Sequence, residues 1–416
     1  MVGSANGRMD NSAQSTPEEL LGAIEKIEAI RAFMRGHTDR EDEKRILELL
    51  EQSSAEELSF MLLTLDLRAL LGDVDDRLFG PDNRTALLRL LTATRLGDLA
   101  IPARAALVRS LQKGVTSAVF ERAVRDVLVG TRGTDLLRLK SAIDAGGSRH
   151  DLHALLFCDL DNEALREEIL AHFAAEAKVP SPEIKILSDI DDTFYANWKD
   201  DRYPPKTVYP GVLAFYAALD RGPGEAPGRM GDLVFVTARP GDRTGFVEDA
   251  THAALLGRGA PPSTILAGSF RRILTNSAIA AKKLENFLEY RRVYPEHGFV
   301  FVGDSGQGDI AFGEGMIAAA PAAVRGVFIH DVVATPEARR EELRGRDVWL
   351  FDTYVGAAAI ALKRGLISAE GAQRVAEAAS AELPKIAFPS EEARAAREAE
   401  LSRDLEHLSG LTGHAG

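Results

Sequence analysis

The sequence predicts an α/β fold: a Rossmann-like parallel sheet covered by helices on both faces, with an all-α region before it and helices after it. From residue 184 onward, short apolar runs with strand character alternate with amphipathic helical stretches. This alternation is typical of a parallel sheet that is buried on both faces. Before residue 178 and after residue 365, the apolar residues recur only with helical spacing.

The first part of the chain is predicted to be helical. Residues 1–15 are polar, and we expect them to be disordered. Residues 16–178 are expected to form an all-α domain whose role and protein partner the sequence does not indicate. Capping boxes at residues 16–19 and 54–57 mark two helix starts, and an apolar stripe with helical spacing follows the second.

The middle of the chain, residues 181–365, is predicted to contain the sheet, after a Pro-rich linker at residues 179–182. Strands are expected at residues 184–190, 233–237, 299–302, 324–329 and 348–351, and helices at residues 211–219, 244–256, 278–291 and 309–320. The first two connections have room for a flap with one helix and for a helix with one strand, so no large cap domain is expected. Residues 366–416 are predicted to be a helical extension.

Composition narrows the class of protein. The chain has 416 residues, of which 45% are hydrophobic and 27% charged, as in globular proteins of more than one domain. Its net charge of −13 argues against nucleic acid as a partner. The single cysteine, Cys158, excludes an intrachain disulfide. Because neither a signal peptide nor a membrane-spanning run is found, we expect a cytoplasmic protein without a transmembrane segment, and leave peripheral membrane contact open.

Acidic and hydroxyl side chains follow three of the predicted strands. The run ILSDIDDT, residues 186–193, contains Asp189 and Asp191, VFVTARP contains Thr237, and FVFVGDSGQGD contains Asp304. The carboxyl ends of parallel strands meet at one edge of a sheet, where ligands of open α/β folds bind. Carboxylates that crowd at the end of a buried strand need a compensating partner, and Mg²⁺ with a phosphate group is a common one.

This set of residues is suited to phosphoryl transfer. Asp189 can attack phosphorus, while Asp191 can protonate the leaving oxygen and later activate water. Mg²⁺ held by Asp189 and Asp304 would screen the negative charge. Thr237 can donate a hydrogen bond to phosphate. Either Lys282 or Lys283, which lie early in a predicted helix, can balance the charge that grows on the phosphoryl oxygens.

Each motif alone has a simpler interpretation, since Asp residues also cap turns and a lysine pair is often a solvated helix face. A calcium-binding EF-hand is excluded, because Phe194 stands where that loop needs Gly and Asp200 where it needs Glu. The chain also has no Gly-Lys-Ser/Thr phosphate loop and no His-Glu-x-x-His zinc motif. The prediction therefore depends on the four motifs occurring together, in this order and on these elements.

The motif set resembles the haloacid dehalogenase superfamily, which uses an Asp nucleophile, a second Asp two residues on, a Ser or Thr, a Lys and a final acidic motif. More closely, SDIDDT, TARP, KKLENFLEYRRVYP and FVFVGDSGQGD resemble the actin-patch type of phosphatidate phosphatase catalytic domain, which is similar to the lipin C-terminal domain. In that family a His-Lys pair opens the helix before the last motif. Here Lys282 stands at the His position and Lys283 at the Lys position. The resemblance covers about residues 181–365.

The resemblance implies a role for each matching residue. Asp189 would be the nucleophile and a ligand of Mg²⁺, and Asp191 the general acid and base, with its carbonyl on the metal. Asp304 would be a further metal ligand that Asp309 supports. Thr237 and Lys283 would hold the transferring phosphoryl group. Additional contacts to substrate are expected from three residues: Arg239, Lys282 and Ser305.

The expected function is therefore that of a Mg²⁺-dependent phosphomonoesterase that forms an aspartyl-phosphate. The resemblance makes phosphatidate or a similar lipid phosphate the leading substrate, and an anionic membrane surface a candidate partner. A site without a large cap also suits a substrate that is presented by a surface. Two alternatives remain: a phosphatase of soluble or protein phosphoesters, and a phosphatidate-binding or scaffold module. The presence of both Asp189 and Asp191 favours an enzyme.

Overall fold

A computed structural model describes residues 17–36, 38–74, 82–112, 117–146, 151–227, 231–240, 246–268, 275–306 and 308–412. The chain divides into two compact units, Met1–Leu139 and Lys140–Gly416. The predicted disordered start, residues 1–15, lies outside the described residues. The predicted fold class is confirmed: the structure contains an N-terminal helical region and a six-stranded parallel sheet flanked by helices, as in haloacid dehalogenase-like α/β folds.

The first unit is helical throughout its described residues. Its helices are α1 (Pro17–Phe33), α2 (Arg40–Glu51), α3 (Ala55–Thr64), α4 (Leu67–Asp73), α5 (Asn83–Arg89), α6 (Ile101–Gln112) and α7 (Ala118–Gly130), and α8 (Gly133–Asp144) continues into the second unit. The capping box predicted at the start of α3 is present. The Ser54 hydroxyl accepts from the Glu57 N–H, and the Glu57 carboxylate accepts from the Ser54 N–H.

The second unit is built around a parallel sheet with the order β3-β2-β1-β4-β5-β6. Its strands are β1 (Ile184–Ser188), β2 (Leu233–Pro240), β3 (Thr264–Gly268), β4 (Gly298–Asp304), β5 (Val324–His330) and β6 (Val348–Phe351). All five strand pairs are parallel. The direction of chain progression reverses between the two central strands, β1 and β4. Such a reversal opens a crevice at the carboxyl ends of the strands, where open α/β sheets bind ligands.

Helices cover both faces of this sheet. The helices of this unit after α8 are α9 (Leu152–Ala154), α10 (Glu163–Glu176), α11 (Val212–Arg221), α12 (Phe246–Leu256), α13 (Asn276–Val293), α14 (Asp309–Ala319), α15 (Glu337–Arg344), α16 (Tyr354–Lys363), α17 (Ala369–Glu382) and α18 (Glu391–Thr412). Helices α11, α16, α17 and α18 pack together on one face, and α13 and α14 pack on the other. None of the described helices combines the length and the apolar character that a bilayer-spanning helix needs.

Buried polar contacts attach the segment before β1 to helix α13. The Lys140 ammonium lies 2.6 Å from a Glu296 carboxylate oxygen and 2.9 Å from the Val293 carbonyl oxygen. The Tyr294 hydroxyl donates to Asp144 at 2.6 Å. Because these charged groups are withdrawn from water, each needs its partner to remain buried. Helix α13, which carries Lys282 and Lys283, is therefore held at its carboxyl end by residues far away in the sequence.

Candidate active site

The two central strands bring Asp189 and Asp304 to the same edge of the sheet. Ser188, the last residue of β1, pairs with Val302 of β4, so Asp189 follows directly on one strand while Asp304 ends the other. The Asp189 N–H donates to the Val302 carbonyl at 2.9 Å, which continues the ladder. Both carboxylates are buried. The predicted convergence of these two residues is thus a direct result of the parallel register.

Lys283 connects Asp189 to Asp309. Its ammonium lies 2.6 Å from Asp189 Oδ1 and 2.6 Å from Asp309 Oδ1, and the lysine side chain is almost completely buried. Asp309 is the first residue of α14, and its Oδ2 accepts from the Asp304 N–H at 3.3 Å. A Cβ at Gly303 would lie 2.6 Å from Asp309 Oδ2. Glycine at this position therefore allows the Asp309 carboxylate to pack against β4.

The cluster of Asp189, Asp304, Asp309 and Lys283 carries more negative than positive charge. Burial raises the pKa of Asp189 to about 7, and the neighbouring carboxylates of Asp309 and Asp191 add to this effect. Burial, with the charges of Asp309 and Asp189, also raises the pKa of Asp304 well above its ordinary value. Burial alone would lower the pKa of Lys283, but Asp189 and Asp309 outweigh it and raise that pKa. A second cation would reduce the repulsion between the carboxylates and stabilise their ionised forms.

The donor set fits a hard divalent cation. One carboxylate oxygen from each of Asp189, Asp304 and Asp309 lies within 4.8 Å of the others. Asp304 Oδ1 accepts from the Gly306 N–H at 2.7 Å, but Asp304 Oδ2 is buried and has no hydrogen-bond partner among the described residues. Both oxygens of Asp309 are already engaged. These contacts suit Asp189 and Asp304 to direct ligation of Mg²⁺ and Asp309 to a supporting position.

Asp191 lies beside this cluster and is held by the loop that follows it. Its Oδ1 accepts from the Asn197 side-chain amide at 2.7 Å and lies 3.9 Å from the Lys206 ammonium. Lys206 also stands over the ring of Tyr195, 4.5 Å from its centroid. Asn197 and Lys206 were not predicted from the sequence. Neither belongs to a recognisable motif, and both reach Asp191 only because the loop folds back over the strand end.

Asp192 organises this loop. Its buried carboxylate accepts from the backbone N–H groups of Asn197 at 2.7 Å, Trp198 at 3.1 Å and Lys199 at 2.7 Å. Its backbone has φ 61°, a left-handed conformation that Asp tolerates better than most residues. The sequence did contain a signal for this role, since the third Asp of SDIDDT is suited to a turn that carries a local carboxylate cap. The prediction used only the first two carboxylates.

The structure locates the remaining predicted residues as follows. Thr237 is buried on β2, two residues beyond Phe235, which pairs with Ser188. Lys282 pairs with Glu285 at 2.8 Å on the surface of α13. The Ser305 hydroxyl donates to Asp331 at 3.0 Å and accepts from the Val332 N–H at 2.9 Å. None of these contacts of Lys282 and Ser305 involves Asp189. The side chain of Arg239 lies outside the described part of the chain.

A comparison with protein families agrees with the resemblance noted in the sequence. Residues 184–331 match the model of the family described as phosphatidate phosphatase APP1, catalytic domain. No curated protein and no solved structure matches the chain. The matched region begins at the first residue of β1 and ends one residue after β5, so it contains Asp189, Asp191, Lys283, Asp304 and Asp309. Residues 184–331 of this chain are therefore similar to the phosphatidate phosphatase catalytic domains of the APP1 type.

Proposed function

We propose that the chain is a Mg²⁺-dependent phosphatidate phosphatase that works through an aspartyl-phosphate. The family match supports the phosphatidate phosphatase activity. The observation that carries the mechanism is the buried cluster at the switch point of the sheet, in which Lys283 bridges Asp189 and Asp309 while Asp304 Oδ2 lacks a hydrogen-bond partner among the described residues. Phosphoryl transfer needs a carboxylate nucleophile, a fixed ammonium and a pair of carboxylates that can bind a further cation.

In the first step, an Asp189 oxygen attacks phosphorus and forms a new P–O bond. The P–O bond to the glycerol oxygen breaks, and Asp191 gives its proton to that leaving oxygen. In the second step, Asp191 takes a proton from a water molecule whose oxygen attacks the same phosphorus. The bond between phosphorus and Asp189 then breaks, which releases inorganic phosphate and restores the free carboxylate.

The surrounding groups stabilise charge and orientation. Lys283 is suited to hold the Asp189 carboxylate in position and to attract the phosphoryl oxygens, because its ammonium is buried beside the nucleophile. Thr237, on the neighbouring strand β2, is suited to donate a hydrogen bond to phosphate. Mg²⁺, when bound by Asp189 and Asp304, would act as a Lewis acid that neutralises charge on the phosphoryl group.

The test is phosphate release from two substrates in parallel. Wild-type protein and Asp189→Asn are assayed on phosphatidylcholine vesicles that contain phosphatidate, and on p-nitrophenyl phosphate, each with Mg²⁺ and with EDTA. We expect release from the vesicles by the wild type with Mg²⁺ only, and release near background by Asp189→Asn, because an amide cannot form the phosphoenzyme. Asp201→Asn, which removes an exposed carboxylate in the same region, is the matched control.

The outcomes separate the alternatives. Release from p-nitrophenyl phosphate alone would keep the mechanism and exclude phosphatidate as the substrate. A wild-type rate that EDTA does not change would contradict the role of Mg²⁺. Vesicle binding by a folded protein that releases phosphate from neither ester would favour the phosphatidate-binding module over the enzyme.

Asn197 offers a test of the role of Asp191. We expect Asn197→Ala to lower kcat/KM on phosphatidate, which reports on the first transfer, by about 10- to 100-fold, since a hydrogen bond to a charged group is worth about 1.5–3 kcal/mol. The loss on p-nitrophenyl phosphate should be much smaller, because nitrophenolate leaves without a proton. Steady-state kinetics on both esters measures the difference, and thermal unfolding checks that the variant is folded. Equal losses on both esters would show that Asn197 does not act through general acid catalysis.

A further inference from the structure

Trp198 is 74% exposed although it lies in the loop that holds Asp191. Loose anchoring does not explain this exposure. The N–H groups of Asn197, Trp198 and Lys199 all donate to the buried carboxylate of Asp192, so the backbone on both sides of the indole is fixed. Tryptophan is enriched at interfaces and in membrane-interface belts, because its indole is apolar at one end and polar at the other.

Two contacts place this indole close to the candidate active site. The preceding residue, Asn197, donates its side-chain amide to Asp191. The following residue, Lys199, lies against Gly306, because a Cβ on that glycine would be 2.9 Å from Lys199 Cγ. The Gly306 N–H in turn donates to Asp304. The residues on either side of Trp198 therefore contact the segments that follow β1 and β4, the two strands whose ends carry the carboxylates.

A second exposed apolar side chain leaves the same edge of the sheet. Val333, which is 51% exposed, follows β5, the strand next to β4. Its loop is also held by polar contacts, since the Val332 N–H donates to the Ser305 hydroxyl and the Thr335 N–H donates to Asp331. Of the other large exposed hydrophobic residues described between residues 181 and 412, Leu256 and Leu288 lie on helices and not on strand-end loops.

The charged residues around Trp198 bear on which kind of partner it could contact. Two lysines belong to the same loop, Lys199 next to Trp198 in the chain and Lys206 beside Asp191. Asp201 is exposed, while Asp200 is neutralised by a bidentate pair with Arg202. The whole chain carries a net charge of −13, so an anionic surface would repel it at long range. Attachment to such a surface therefore needs a local apolar anchor beside local positive charge. Tryptophan, like tyrosine, is enriched at the boundary between lipid and water.

We propose that Trp198, together with Val333, is an interfacial anchor that inserts into a phospholipid bilayer and brings the carboxyl edge of the sheet to the lipid head groups. The inference rests on the proposed function, because phosphatidate stays in the bilayer through its acyl chains. The anchor holds the protein at the surface on which the substrate is presented, and Lys199 and Lys206 lie at the level of the anionic head groups.

Tryptophan fluorescence tests insertion directly. The chain has two tryptophans, so Trp349→Phe leaves Trp198 as the single reporter, and Trp198→Phe leaves Trp349. Trp349 is a suitable reference, because its indole N–H already donates to Asp347 and its ring contacts Arg364. With phosphatidylcholine vesicles that contain phosphatidate, in EDTA, we expect a blue shift and protection from a soluble quencher for Trp198 and no change for Trp349. An unchanged Trp198 spectrum would overturn the proposal and leave a protein as the alternative partner.

Kinetics test the consequence for turnover. We expect Trp198→Ala to lower release from vesicles at limiting lipid by at least about tenfold more than release from p-nitrophenyl phosphate, since burying a large apolar side chain is worth about 1.5–3 kcal/mol. Saturating lipid should restore most of the rate. Leu288→Ala, which removes an exposed apolar side chain from α13, is the matched control. Equal losses of Trp198→Ala on both esters would contradict an anchor.

A failure of the proposed function gives a different result. The fluorescence measurement needs no turnover, so it is repeated with Asp189→Asn in the Trp349→Phe background. A blue shift, combined with no phosphate release from any ester by the wild type, would overturn the proposed function and support the anchor. Turnover of phosphatidate without a blue shift would support the function and overturn the anchor.

Discussion

Replacing Lys283 by Met is expected to lower kcat by at least about a hundredfold, because one preorganised donor beside the reacting group is usually worth that much. It should also destabilise the second unit by about 3–5 kcal/mol, since it leaves buried carboxylates without their cation. The ammonium is 2.6 Å from both Asp189 and Asp309, so both depend on it. Phosphate release measures the first effect. Urea unfolding followed by tryptophan fluorescence measures the second, because Trp198 and Trp349 both lie in this unit.

The neighbouring lysine provides the control. Lys282 has the same chemistry, but its side chain is 26% exposed and pairs with Glu285, itself largely exposed. Surface ion pairs of this kind contribute about 0–1 kcal/mol. We therefore expect Lys282→Met to retain stability and most of its activity. If Lys282→Met were the inactive variant, or if the two variants lost activity equally, the assignment of the phosphate-binding role to Lys283 would be wrong.

Mg²⁺ is expected to raise the melting temperature of the wild type, and by a larger amount as the pH rises from about 5 to about 7. Burial raises the pKa of Asp189 to about 7 and that of Asp304 well above its ordinary value. In this pH range the folded carboxylates therefore bind protons that the unfolded ones have released. The metal-free protein loses stability as pH rises toward the folded pKa, and a cation that binds the ionised carboxylates offsets that loss.

Asp304→Asn tests which residue holds the ion. The variant should lose the stabilisation by Mg²⁺ and at least about a hundredfold in activity, because Asp304 provides the buried oxygen that has no other partner among the described residues. The melting temperature of the metal-free variant should depend less on pH, since one of the two carboxylates with a raised pKa is gone. Thermal scans with Mg²⁺ and with EDTA at several pH values measure both effects. A variant that kept the full shift with Mg²⁺ would exclude Asp304 as a ligand.

Much of the second unit could be predicted from local patterns. The apolar run before Asp189 became β1, and those before Asp304 and His330 became β4 and β5. The strand β3 (Thr264–Gly268) was expected between residues 240 and 282, although without bounds. Its short apolar run lacks the polar residues that marked the other strand ends. A buried edge strand of this length has little local signal, because its pairing with β2 is a non-local interaction.

The residues of the candidate site could likewise be predicted only in part. Asp189, Asp191 and Asp304 could be found because each follows a strand, and strand ends of a parallel sheet meet at one edge. Residue chemistry alone could not separate Lys282 from Lys283, since both are basic and adjacent, and only the resemblance to the family favoured Lys283. On a helix they point about 100° apart, and only the packing of α13 against the sheet turns Lys283 toward Asp189. Asn197, Lys206 and Trp198 gave no motif, because their roles depend on a loop that Asp192 folds.

The sequence by itself determined the class of fold, the order of the motifs and the residues that a phosphatase site would use. These properties depend on the periodicity and the spacing of residues along the chain, and both are local features of the sequence. Only the tertiary structure decided that Lys283 bridges Asp189 and Asp309, that Asp304 keeps one buried oxygen without a partner among the described residues, and that Trp198 is exposed beside them. These properties depend on burial and on contacts between distant segments, and such contacts form only when the chain has folded.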